Sequence, residues 1–331
     1  MKLKPLISIK PKPKPKKLRK RKSSYELGQL EANMKNAFNL ELFEIKEVIH
    51  DKEIKATIGS MLLPVLTYLG IPSARSKKII VNCLQVASSY SKLEEYEEQA
   101  HHILEDEKIA EKIPEKLSAR AELVYSQIEQ YLLRGKVLDY GCGDGKVAEL
   151  IAKNREQQVT LTDVYEHEHV KETRLKFRLF KQGEKAPFAD NKFDNTLNIT
   201  VYHHCNDPLD SIKDARRVTK KNGRIIVIES VYGVKGKELP STTQENTKSY
   251  LSLTPEQQRK VNIFFDHFYN RVLHYSKDAK TKVNVPFNFN TPNNWRKIFA
   301  ECGLKQETII HLGIDQPTVP EYHTLHILRK I

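Results

Sequence analysis

The segment that most constrains this chain is Val137-Leu138-Asp139-Tyr140-Gly141-Cys142-Gly143-Asp144-Gly145-Lys146. An apolar run empties into three alternating glycines, and a helical pattern follows. Glycine has no Cβ, so such a turn brings backbone close to a ligand at the tip of a strand. The spacing is G-x-G-x-G, with Lys146 where the dinucleotide fingerprint G-x-G-x-x-G would place its last glycine. No G-x-x-x-x-G-K-[ST] phosphate loop surrounds it either. An acid, Asp139, sits two residues before the first glycine, which suits a cationic amino group better than a pyrophosphate. A second apolar burst, Val159-Thr160-Leu161-Thr162-Asp163, ends in another acid, placed to accept hydrogen bonds from a ribose diol. The expected ligand is therefore a nucleoside joined to an amino acid.

The rest of the chain supplies a sheet around this turn. A helix is expected over Ala119–Leu133 and another over Lys146–Lys153. Further strands are expected at Phe193–Val201, Arg224–Ser230, Glu307–His311 and Tyr322–Leu328, and further helices at Pro208–Lys220 and Asn294–Cys302. Alternating strands and helices predict an α/β fold with a parallel sheet covered on both faces, and a short final connection predicts an antiparallel last pair. Residues 25–116 read as a helical accessory or cap segment without a chemical motif, and residues 117–331 as the catalytic domain. The apolar run Met61–Leu69 is too short, and too interrupted by Pro64, to span a membrane. Four scattered cysteines with no C-x-x-C pair argue against a disulfide framework and for a cytoplasmic setting.

The net charge of +13 resembles that of a nucleic-acid binder until it is localised. Nine Lys and two Arg, with no acid, fall within residues 1–22, so the body of the chain is nearly neutral. The Lys-Pro alternation of residues 1–24 predicts an extended, disordered tail, able to contact RNA or an anionic surface.

With these residues in view, the chain resembles the class I S-adenosylmethionine-dependent methyltransferases. The Leu-Asp-x-Gly-Cys-Gly-x-Gly turn is similar to their first motif. Pro187-Phe188-Ala189-Asp190-Asn191-Lys192-Phe193-Asp194 looks like the approach to their fourth strand. Val201-Tyr202-His203-His204-Cys205-Asn206-Asp207-Pro208 is similar to the end of that strand in the ubiquinone/menaquinone-methylating branch. The resemblance implies a Rossmann-like, doubly wound, mostly parallel seven-stranded sheet, here with an N-terminal helical segment and a helical lid insertion. It also implies S-adenosylmethionine as cofactor. Gly141, Cys142, Gly143 and Gly145 would form the turn beside its methionine part, with Asp139 at the amino end. Asp163 would hold the ribose, Val164 would lie beside the adenine, and Glu184 would meet the adenine amine.

Acceptor residues are expected beyond the strand tips. His203 and His204 follow strand 4 as acceptor contact or general base; strand alternation, if it persisted that far, would put them on opposite faces. A lid is expected over about 234–290, with a helix starting at Thr254-Pro255-Glu256. Val261, Phe264, Phe265, Phe268 and Val272 mark its apolar face. His267, Asn270, Arg271 and His274 mark a polar one, flanked by Asp266. Asp266, Asn270, Arg271 and His203 are the expected acceptor-binding residues, and His204 and His267 the expected catalytic ones. His167-Glu168-His169 lacks a third ligand and reads as a charged loop, so no metal site is expected. The expected reaction is methyl transfer to a small-molecule or lipid-like acceptor. The alternative is an RNA or protein acceptor, with the basic tail as tether.

Overall fold

The structure, a computed structural model, describes residues 45–90, 92–236, 245–275, 283–315 and 319–331. The basic tail, Leu40 and Phe43 of the accessory segment, and residues 237–244 and 276–282 of the lid lie outside the described residues.

Residues 45–50 are helical, and α1 (Lys52–Tyr68), α2 (Ser73–Ser89), α3 (Leu93–Glu105) and α4 (Ile109–Ile128) follow. Asp51 caps α1 by accepting from the Glu53 and Ile54 amides. The chain then alternates through β1 (Val137–Tyr140), α5 (Lys146–Arg155), β2 (Val159–Asp163), α6 (Glu168–Glu172), β3 (Lys176–Leu179), β4 (Phe193–Ile199), α7 (Pro208–Val218) and β5 (Thr219–Ser230). The lid carries α8 (Glu245–Ser252) and α9 (Pro255–His267). After it come α10 (Pro292–Glu301), β6 (Leu304–Gly313) and β7 (His323–Lys330).

The strands form one seven-stranded sheet in the order β3-β2-β1-β4-β5-β7-β6. β1 to β5 run parallel, and β7 is antiparallel to both β5 and β6, as the short last connection predicted. β1 is buried at all four positions because it is central and covered on both faces. Val124 and Ile128 of α4 and Ala148 and Ile151 of α5 share one core with β1, β2 and β4. Leu209 and Ile212 of α7 and Trp295 and Phe299 of α10 join a second core, which also takes in the lid and the N-terminal helices.

Two elements depart from the sequence expectation. β3 has no apolar alternation to betray it: it is an edge strand, mostly exposed, with Leu179 60% accessible. β4 stops at Ile199 rather than Val201, since Thr200 takes a left-handed φ of 56° that a β-branched residue rarely adopts. Residues 202–204 then wind as a 3₁₀ turn, which removes the strand alternation that would have separated His203 from His204.

The lid helix starts where Thr254 predicted. Thr254 and Gln257 form a reciprocal capping box, with Pro255 in the first turn. Val261, Phe264, Phe265, Phe268 and Val272 are all buried. From Phe268 to Leu273 the helix widens into a π-helix, an irregularity often found at functional sites. The N-terminal helices reach the lid through polar contacts: His101 Nδ1 lies 2.8 Å from the Val272 carbonyl, and Gln257 Nε2 donates to Asp51 and Glu53.

Candidate active site

The glycine turn sits at the carboxyl end of β1. Gly141 has φ 77°, and a Cβ there would lie 2.6 Å from Val201 Cγ2, so the first glycine is required by packing against the tip of β4. Gly143 has φ 52°, and a Cβ there would meet nothing within 4 Å. The left-handed backbone favours that second glycine, and the open space above it leaves room for a ligand against bare backbone. Gly145 leads into α5, and the Cys142 thiol is buried.

Asp163 closes the turn from the neighbouring strand. Its Oδ2 accepts from the Gly143 N–H at 2.9 Å and its Oδ1 from the Val164 N–H at 2.6 Å. Burial raises its pKa, and these amide bonds offset part of the rise. Asp139 is buried deeper. Loss of solvent, then the nearby charges of Asp163 and Asp144, push its carboxyl up to about 7. A set of buried acids with raised proton affinity beside an open glycine turn suits a cationic ligand. Val164 and Tyr165 are about half exposed at 49% and 50%, an apolar surface directly beyond Asp163. These features fit the amino, methionine and ribose parts of S-adenosylmethionine. Glu184 lies in an exposed turn after β3.

The tip of β4 carries a second group. His203 is buried, its Nδ1 2.6 Å from Glu229 Oε2; Glu229 Oε1 accepts from the Val201 and Tyr202 amides. Burial by itself lowers the pKa of His203, but Glu229, Asp266 and Glu321 outweigh it and raise it to about 9. The His204 ring centroid is 4.0 Å from that of His203. Burial and then the neighbouring His203 hold His204 well below the ordinary imidazole range, so it is neutral. Its Nδ1 lies 2.9 Å from the Asn284 carbonyl and 3.7 Å from Asp266 Oδ1. Asn270 donates to Asp266 Oδ1 at 2.8 Å across one helical turn.

The expected polar face of the lid helix is thus divided. Asp266 and Asn270 belong with His204, whereas His267 does not: it is fully buried, stacks on Tyr96 and places Nε2 3.2 Å from Glu97. Arg271 is half-buried in the π-helix. Burial pushes the Tyr269 hydroxyl up, with Arg120 and Asp144 acting on it in opposite senses, so the π-helix lies within electrostatic reach of the glycine turn. Asn288 Nδ2 donates to the Cys205 carbonyl, and Asn290 Nδ2 to Asn288 O. His167 and His169 act locally: His167 Nδ1 accepts from the His169 amide, and His169 Nε2 meets Glu149.

Glu229 escaped sequence reading. It lies in a run of apolar strand residues, and its link to His203 spans β4 and β5. The only available signal was a charged residue inside an otherwise buried strand.

The family model for the methyltransferase domain matches residues 138–227, from β1 into β5. An uncharacterised protein of Methanocaldococcus jannaschii, MJ1123, is 31% identical over 110 residues, 32% of this chain. The chain spans about half, 52%, of that relative's length. Among solved structures, YcgJ from Bacillus subtilis is 15% identical with a TM-score of 0.42, over 63% of this chain and 97% of that one. The 1,6-didemethyltoxoflavin-N1-methyltransferase of Burkholderia thailandensis is 14% identical with a TM-score of 0.42, over 64% and 79%. With the family match running from the glycine turn through the tip of β4 and into β5, residues 138–227 carry a methyltransferase domain.

Proposed function

We propose that this protein methylates a small-molecule or lipid-like acceptor held between the tip of β4 and the lid helix. One observation carries the reading: His204, half-buried and neutral, stands 3.7 Å from the buried Asp266 of the lid, next to the cofactor turn. S-adenosylmethionine, when bound, supplies a methyl group on a cationic sulfur, open to in-line attack. This chain's residues bind and orient. Asp139 faces the amino group, the open backbone at Gly143 admits the methionine part, and Asp163 meets the ribose. His204 and Asp266 meet the acceptor's polar atom, with Asn270 fixing the Asp266 carboxylate. His203, fixed by Glu229, packs beside His204 and holds the turn that carries it. The interior setting suits an acceptor that enters a cleft rather than a polymer lying on a surface. The four free cysteines accord with a cytoplasmic setting.

The test is to incubate the full chain with cell extract and methyl-labelled S-adenosylmethionine, then separate organic-soluble and small polar compounds from RNA and protein. Label in the low-molecular-weight pools is expected, with loss in Asp266→Ala. Label in RNA or protein, abolished by deleting residues 1–22, would establish the tethered macromolecular reading instead.

A further inference from the structure

The group at the tip of β4 also has the composition of a metal centre. One ring nitrogen each of His203 and His204 and a carboxylate oxygen of Asp266 all lie within 4.8 Å of one another. Donor atoms around a single ion with bonds of about 2.1 Å sit roughly 3 to 4 Å apart, so a shift of about an ångström closes the set.

The outer contacts are those a metal centre needs. His203 Nδ1 is engaged by the Glu229 carboxylate, and His204 Nδ1 by the Asn284 carbonyl. A carbonyl oxygen only accepts, so Nδ1 of His204 carries the proton and its Nε2 presents the lone pair. Glu229 fixes His203 in the same sense. An imidazole oriented through one nitrogen by an oxygen acceptor, with the other left to the ion, is the common arrangement of metal-binding histidines. Asn270 orients Asp266 by donating to its Oδ1. The buried carboxylates of Glu229 and Asp266 lie 2.6 Å and 3.7 Å from the ring nitrogens of His203 and His204, a negative setting that favours a dication.

We propose that His203, His204 and Asp266 bind a divalent first-row transition ion whose remaining positions take an oxygen of the methyl acceptor. Two imidazoles and one carboxylate select such ions over calcium or magnesium. Three protein ligands leave open positions, as in catalytic rather than structural sites. The acceptor half of the proposal rests on the small-acceptor reading above, whereas the ion site stands on the side chains alone. It also joins the lid to the sheet, because Asp266 comes from α9 and the histidines from the turn after β4.

The test is Co²⁺ binding to the chelator-treated, dialysed full chain, followed by visible absorption and by titration calorimetry. One equivalent per chain is expected, with ligand-field bands, and affinity at least ten-fold weaker in His204→Ala and in Asp266→Asn. S-adenosylhomocysteine affinity, measured on the same preparations, should stay within about two-fold, which shows that the variants remain folded. No Co²⁺ binding, or binding equal in wild type and both variants, overturns the site. Because this readout involves no methyl transfer, it is decided separately from the labelling experiment. If a low-molecular-weight acceptor is found and its methylation is unchanged by chelation, the ion's acceptor role is overturned.

Discussion

Nδ1 of His203 lies 2.6 Å from Glu229 Oε2, and the other oxygen of that carboxylate receives the amides of Val201 and Tyr202. One side chain from β5 therefore shapes the turn that ends β4 and orients the histidine on it. Removing a buried charge partner costs about 3–5 kcal/mol because the remaining groups are left uncompensated. Glu229→Ala should lower stability by that order in urea unfolding. Glu229→Gln keeps an acceptor but not the charge, so it should fold while losing at least ten-fold in methyl transfer.

The two glycines of the turn should separate fold from ligand. Gly141→Ala meets Val201 and a left-handed backbone, at a combined cost of about 2–4 kcal/mol. Gly143→Ala meets only the backbone cost of about 1 kcal/mol. Thermal melts should show the first strongly destabilised and the second nearly normal. Calorimetry should show S-adenosylhomocysteine affinity reduced at least ten-fold in Gly143→Ala.

Asp139 gives the cofactor site a pH dependence. Its carboxyl is raised to about 7 in the folded, ligand-free protein, above the ordinary carboxylate value it has when unfolded. The folded state holds a proton there that the unfolded state has lost, so the group's favourable contribution is present at low pH and fades as pH rises towards 7. A ligand ammonium needs the ionised form. The rise in melting temperature given by S-adenosylhomocysteine should therefore grow from pH 6 to pH 8, and Asp139→Asn should flatten the trend.

His267 and Glu97 form the buried link between the lid helix and α3. Glu97→Ala should cost about 3 kcal/mol or more, since it strands a buried imidazole. With the glycine turn untouched, S-adenosylhomocysteine affinity should change less than two-fold. Urea unfolding and calorimetry on one preparation check both.

The sequence by itself determined the glycine turn and the two acids beside it. The glycine turn, Asp139 and Asp163 are local: a strand tip, a backbone without Cβ and an acid at the next tip are set by neighbours in the chain. The capping box at Thr254 was legible for the same reason. The acceptor end was decided by tertiary structure. Thr200 breaks β4 and so brings His203 and His204 together rather than to opposite faces. Asp266 and His267, neighbours on α9, point about 100° apart, so the packing of α3 takes His267 to Glu97 while Asp266 reaches His204. Helical spacing assigns residues to faces, but which face meets a histidine 62 positions away depends on how the lid packs on the sheet. That is set by long-range burial, with no local signature in the chain.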